Sequence, residues 1–311
     1  LRQLVDAMQH HLLTIPQLGI ERCQTILRLA EKLRHSDAVL QLGATVAIAF
    51  FEPSTRTRLS FELAAQRLGC RVVSFSASGS SMEKGESFAD TLRTLEAMGA
   101  QAIVLRHSAS GSAHAAARVL ARAALINAGD GMAEHPTQAL LDARTLLDVF
   151  GSLEGKRIAI IGDCLHSRVF RSDYALFQML GAQIGICAPP LLMPHLPKDA
   201  AVERFPDVDA ALAWADAAVV LRLQRERMAA GLVPSLADYR RRYAVTLQRL
   251  DRSSAYVLHP GPVNPGVELD AAAVEHPRSL IARQVTNGVL IRMAVLIEIV
   301  APDLVEPSLH N

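Results

Sequence analysis

Short apolar runs alternate with helical stretches along this chain, and the series begins twice. VAIAFF (46–51), RVVSF (71–75), AIVLRH (102–107) and ALINAG (124–129) have the length and β-branched content of buried strands. Between them, residues 55–68, 87–98 and 112–122 carry helical patterning, and a longer helix is expected from about Pro136 to Val149. FGSLEGK (150–156) breaks the pattern with two glycines, after which RIAIIGD (157–163), QIGICAP (183–189), AAVVLRL (217–223) and AYVLHPG (255–261) start a fresh series. Alternating βα units predict an α/β fold of two domains, each a parallel sheet flanked by helices. At 311 residues the chain also exceeds one ordinary core. The glycine-rich link sets the expected boundary: residues 1–150 form the first domain and 151–283 the second. The closing helix, QVTNGVLIRMAVLIEIVAP (284–302), is apolar enough to pack back on the first.

Composition narrows the function classes. Half of the residues are hydrophobic and a fifth charged, as in a soluble globular protein. No apolar run approaches the roughly 18 residues of a membrane span, and LRQLVDAMQHHLL lacks the plan of an export signal. Cys23, Cys70, Cys164 and Cys187 form no C-x-x-C pair, so reduced thiols in the cytoplasm are expected, without disulfide or metal site. A net charge of +1 offers no field for nucleic acid. No G-x-G-x-x-G follows Gly162, and neither a Walker lysine motif nor a serine nucleophile elbow occurs. Nucleotide cofactors are therefore not expected.

In a parallel sheet, ligands bind beyond the carboxyl ends of the strands. The first strand runs into FFEPSTRTRLSFE, which places Ser54 at an N-cap and Thr55, Arg56 and Thr57 in the first turn of a helix. Unpaired N–H groups, hydroxyls and a guanidinium are the makings of a phosphate site, the alternative being a well-capped surface helix. Arg106 and His107 end the third strand, and His135 and Gln138 open the helix after the fourth. His166 and Arg168 follow the fifth run, Arg222 and Gln224 the seventh, and HPGPVNPG the last. Cations and amides recur at one end of most strands, which suits anionic substrates. The loop SASGSSMEKGES (76–87), with Ser80 and Lys84, belongs to neither helix nor strand.

Taken in order, FFEPSTRTRLSFE, SSMEKGES, RHS, HPTQALLD, GDCLHSRV, LRLQRERM and HPGPVNPGVE resemble the catalytic chains of the aspartate carbamoyltransferases from about His11 to Val300. STRTR and HPTQ-like motifs are shared with the ornithine carbamoyltransferases, whose H-C-L-P and Asp-x-x-x-Ser-Met-Gly motifs are not found here. The resemblance implies transfer of a carbamoyl group from carbamoyl phosphate to L-aspartate, the committed step toward pyrimidines, with no cofactor. It implies that Ser54, Thr55, Arg56, Thr57 and Ser80 hold the phosphate, and that Arg106, His135 and Thr57 polarise the carbamoyl oxygen. Gln138 and the carbonyls near Pro260 and Gly261 would hold the carbamoyl amide; Lys84, Arg168, Arg222 and Gln224 would hold aspartate. Arg56, Thr57, Lys84, Arg106 and His135 make up the implied catalytic set. It further implies a homotrimer in which Lys84 reaches the adjoining subunit's site. A carbamoyltransferase for ornithine or another amino acid, and a silent homologue acting as a scaffold, are the alternatives. Whether regulatory or dihydroorotase-like chains join the trimer stays open. Two positions depart from the family pattern: Pro265 stands where a basic residue is common, and Glu134 precedes His135.

Overall fold

The computed structural model describes residues 11–36, 39–76, 85–197, 199–223 and 235–305. The chain divides into two compact units, one of Leu1–Leu141 with Thr286–Asn311 and the other of Asp142–Val285. The division falls inside a helix, before the Gly151–Gly155 link.

The first unit is built on a four-stranded parallel sheet of β1 (Thr45–Phe50), β2 (Arg71–Ser76), β3 (Ala102–His107) and β4 (Ala124–Asp130), in the order β2-β1-β3-β4. Every residue of β4 is buried, which fits its largely apolar sequence, broken within the strand by Asn127. The segment before the first helix covers the free edge of β4: Leu12 N–H donates to Leu125 O and Asn127 N–H to Leu12 O, both at 2.8 Å. Helix α1 (Ile15–Arg34) follows, then α2 (Thr55–Arg67), α3 (Phe88–Ala97) and α4 (Ser112–Ala117). Helix α5 (Pro136–Phe150) contains the division between the units. Of α11 (Ile281–Val300), the residues from Thr286 onward belong to the first unit, where Glu298 accepts from Arg22 Nε at 2.6 Å and Nη2 at 2.9 Å.

The second unit carries a five-stranded parallel sheet in the order β7-β6-β5-β8-β9. Its strands are β5 (Arg157–Ile161), β6 (Gln183–Cys187), β7 (Val202–Arg204), β8 (Ala217–Val220) and β9 (Tyr256–Leu258). Helices α6 (Arg168–Met179), α7 (Val208–Trp214), α8 (Leu236–Tyr243), α9 (Leu247–Asp251) and α10 (Ala271–Val274) complete the unit. Two parallel sheets flanked by helices are thus the architecture, as the alternating pattern requires. Among the described residues, no helix is long and apolar enough to cross a membrane.

The differences from the sequence reading have physical causes. Strand β7 is short and partly exposed, so it lacks an apolar run. The helix expected over 112–122 stops at Ala117; the N–H groups of 118–120 still turn back to His114 O and Ala116 O, and those beyond are taken by Glu96, whose Oε1 accepts from Ala121 at 3.0 Å and from Arg122 and Ala123 at 2.7 Å. Burial pushes the Glu96 carboxyl up, and the bonds from Ala123, Arg122 and Ala121 more than reverse this, so its pKa lies below the ordinary value. A carboxylate lowered on folding contributes stability above the unfolded pKa, near 4.3, and loses it as pH falls through the folded value. Glu96→Ala is expected to lower stability by about 1–3 kcal/mol at neutral pH, the scale for hydrogen bonds to a charged group. Urea unfolding should show that difference shrinking below about pH 4.

Candidate active site

Strand order reverses between β1 and β3 in the first unit, and the carboxyl ends of β1, β3 and β4 deliver its polar residues. β1 passes through Phe51–Pro53 into α2. Ser54 sits at the N-cap with extended backbone, φ −163° and ψ 107°, but its side chain accepts no capping bond. The first turn leaves backbone N–H groups without intrahelical acceptors, and the Ser54 hydroxyl takes none of them. Thr55 and Arg56 are exposed in this turn, and Thr57 is buried.

Arg106 pairs with Phe50 across the β1–β3 ladder, and its carbonyl accepts from Phe51 N–H at 2.8 Å. Its guanidinium is buried. Nη1 donates to Ala128 O at 3.1 Å, and Nε lies 3.3 Å from Glu52 Oε2. Ala128 stands between Gly129 and Asn127, a fully buried amide in β4. Asn127 Nδ2 donates to Leu13 O at 2.8 Å, and Oδ1 accepts from Gly129 N–H at 2.9 Å.

Beyond β4, Gly131 adopts φ +50°, where a Cβ would collide with the Ser110 backbone; its N–H donates to His107 O at 2.9 Å. This tight passage leads to His135, whose carbonyl accepts from Gln138 N–H at 2.9 Å as α5 begins. Both side chains are buried. The first unit therefore brings Ser54, Thr55, Arg56, Thr57, Arg106, His135 and Gln138 to one end of one sheet.

In the second unit the order reverses between β5 and β8. After β5, Gly162 has φ +120°, and a Cβ there would lie 3.2 Å from Leu221 O and 3.1 Å from the Tyr239 hydroxyl. Asp163 follows, buried, and accepts from His166 N–H at 3.0 Å; His166 Nδ1 lies 3.0 Å from the same oxygen. Ser167 caps α6 by accepting from Phe170 N–H at 3.2 Å, which makes Arg168 its first residue. Arg168 is buried, and Arg222 lies just past β8.

Pro260 and Gly261 follow β9, which neighbours β8 in the sheet, and Gly261–Pro262 is a cis peptide. His259 Nδ1 accepts from Gly261 N–H at 2.8 Å, so the ring proton resides on Nε2, which lies 3.2 Å from Glu268 Oε1. Arg168, Arg222, Pro260 and Gly261 thus occupy the carboxyl ends of three adjacent strands. Ser80, Lys84 and Gln224 lie outside the described residues. Glu52, Asn127 and Glu268 escape the sequence reading as site-supporting residues. Glu52 had a signal in its place within FFEPSTR; a buried Asn inside an apolar strand had none. Among the described residues, no cluster of three or more His, Cys, Asp or Glu is placed to hold a metal ion.

Residues 10–148 match the aspartate/ornithine carbamoyltransferase carbamoyl-P binding domain, and residues 154–299 match the Asp/Orn binding domain of the same family. The chain belongs to the aspartate/ornithine carbamoyltransferase family. It is 56% identical over 257 residues to an aspartate carbamoyltransferase catalytic subunit of Thermus aquaticus, covering 82% of this chain and 84% of the relative. A Nocardioides aspartate carbamoyltransferase catalytic subunit is 48% identical over 303 residues, 93% of this chain and 94% of that one. Among solved structures, Trypanosoma cruzi aspartate transcarbamoylase in complex with carbamoyl phosphate and aspartate matches with a TM-score of 0.83 at 30% identity. That match covers 94% of this chain and 97% of the other.

The carbamoyltransferase sheet end depends on Asn127 although that residue is remote from solvent. Asn127→Ala would leave Leu13 O and Gly129 N–H unpaired, each costing roughly 1–3 kcal/mol. The expected outcome is a loss of about 2–4 kcal/mol in urea unfolding. A change below about 0.5 kcal/mol, the range of ordinary surface substitutions, would contradict that role.

Proposed function

We propose that the chain transfers the carbamoyl group of carbamoyl phosphate to the amine of L-aspartate, giving N-carbamoyl-L-aspartate and phosphate, a committed step of pyrimidine biosynthesis. The observation that carries this reading is the pair Arg168 and Arg222 at the ends of the neighbouring strands β5 and β8. Two carboxylates on the substrate require such cations. Ornithine would require an acid in their place, and the acid at that strand end, Asp163, is engaged by His166. The named ligands of the Trypanosoma cruzi relative, carbamoyl phosphate and aspartate, are the substrates this chemistry fits.

On this reading, residues 1–150 with the closing helix serve carbamoyl phosphate, and 151–283 serve aspartate. The phosphate sits on the α2 N-terminus against Ser54, Thr55, Arg56, Thr57 and Ser80. Thr57, Arg106 and His135 donate to the carbamoyl oxygen as negative charge develops there. Gln138 and the carbonyls of Pro260 and Gly261 accept from the carbamoyl amide, while Lys84 and Gln224 assist the two arginines with aspartate. The neutral amine of aspartate forms the new N–C bond, the C–O bond to phosphate breaks, and the amine proton passes to the departing phosphate. No protein nucleophile takes part.

Phosphate release should be rapid with aspartate and near background with ornithine or without acceptor; equal rates with ornithine would refute the assignment. Arg56→Ala should lower kcat by roughly 10²-fold or more, the scale for losing a transition-state donor, with folding intact. A near-normal rate would remove the phosphate from the α2 terminus.

The unit of activity is a cytoplasmic homotrimer with Lys84 supplied by the adjoining chain. Leu59 and Leu63 on α2 and Val73 on the edge strand β2 are exposed apolar residues on packed neighbouring elements, as a subunit contact requires. Mixing Lys84→Ala with His135→Ala chains, each nearly inactive, should restore activity after subunit exchange. Mixtures that stay inactive despite exchange would place Lys84 in its own chain's site.

A further inference from the structure

The HPGPVN loop ends on an amide that grips two segments at once. Asn264 Nδ2 donates to Leu223 O at 3.0 Å and to Glu268 Oε2 at 3.1 Å, and Asn264 N–H donates to Glu268 Oε1 at 2.6 Å. Both partners of the side chain are pure acceptors, so the amide nitrogen and not its oxygen must face them. Glu268 has no solvent-exposed side-chain surface and also meets the His259 imidazole. His259 is itself anchored, its N–H donating to Gln284 Oε1 at 2.9 Å, while Gln284 Nε2 donates to Asp142 Oδ1 at 2.6 Å. One buried network therefore fixes the Pro260–Gly261 turn and reaches the exit of β8.

That exit is where Arg222 leaves the sheet. The parallel ladder between β5 and β8 ends at Ile161–Val220, and Leu221 N–H adds one more bond, to Ile161 O at 2.8 Å. Beyond it, the Asn264 amide takes hold of the main chain at Leu223. We infer that Asn264, anchored by Glu268, is a positioning residue for the amino-acid substrate. By holding the Leu223 carbonyl it sets the direction in which Arg222 departs from β8, and it does so from the same loop that carries Pro260 and Gly261. The inference rests on the reading of Arg222 as an aspartate contact. A displacement of about 1 Å at such a residue is enough to weaken turnover by roughly 10²-fold.

Three variants of the full chain test it. Asn264→Ala removes the grip. Asn264→Asp keeps its shape but faces two acceptors with a group that has no N–H. Glu268→Gln sets an amide nitrogen against a donor in either orientation, Asn264 Nδ2 in one and Asn264 N–H with His259 Nε2 in the other, and keeps the test alive should either Asn264 variant fail to fold. Each is expected to raise KM for aspartate by about tenfold or more, with Asn264→Asp the most affected, from the cost of misplacing a charge-assisted contact. KM for carbamoyl phosphate should rise clearly less than KM for aspartate, because only the Pro260 and Gly261 carbonyls assigned to its amide share this loop and the groups assigned to its phosphate lie in the other unit. An unchanged aspartate KM, or parallel rises in both constants, would overturn the inference. A wild-type chain that ignores aspartate in the same assay would overturn the functional reading and the inference together. A wild-type chain that uses aspartate while the variants keep its KM would overturn the inference alone.

Discussion

Parallel pairing of β1 with β3 is the constraint from which the first unit's site follows. Because both strands run the same way, their carboxyl ends coincide, and register sets Phe50 opposite Arg106. Two residues past Phe50 the chain supplies Glu52 beside the Arg106 guanidinium, and the next turn begins α2. A one-residue slip in this ladder would turn the Arg106 side chain to the opposite face of the sheet, since strand side chains alternate. In the second unit the parallel β5–β8 ladder likewise brings two carboxyl ends together, with Arg222 two residues past β8 and Arg168 opening the helix that follows β5. In both units the reversal of strand order opens the place where consecutive crossovers leave in opposite directions, which is where a ligand can approach the strand ends.

Local sequence revealed most of this because buried parallel strands write themselves as continuous apolar runs. TVAIAF and ALINAGD stand out against polar surroundings, and the polar groups that follow them are therefore easy to locate. What stayed hidden depends on partners distant in the chain. The N–H groups beyond α4 are taken by Glu96, which lies in the preceding βα unit. β7 exists because β6 offers it an edge, with Ile184 pairing to Val202, and its own sequence VER has no strand signature. Ser54 occupies the predicted N-cap, yet a capping residue by type takes no capping bond. Whether a hydroxyl faces its own helix or a ligand is a question of rotamer, on which residue identity is silent.

The polar groups that matter most for support were the least legible. Asn127 sits in β4, where an apolar residue would extend the run more naturally. Its worth lies in Leu13 O and Gly129 N–H, one of which is more than a hundred residues away in sequence. Buried polar groups must be satisfied or removed in pairs, so such an amide and its partners form a unit that no local pattern can reveal.

Asn127 and Asn264 answer one problem in the two units. Carbamoyl transfer between two small anionic molecules needs no covalent help from the protein, so its catalytic contribution has to come from orientation and from donors set in advance. Arginines are long and flexible and would have to be ordered anew by each substrate unless the backbone around them were already fixed. In the first unit Asn127 ties the end of β4, whose Ala128 carbonyl receives Arg106. In the second, Asn264 ties the main chain one residue beyond Arg222. An amide suits both places because it can donate to one segment while its other contact anchors it, and it brings no charge of its own to compete with the substrates. The arrangement places neutral amide ties in the backbone beside the cations, so that the entropy of ordering is met largely on folding rather than in the reaction.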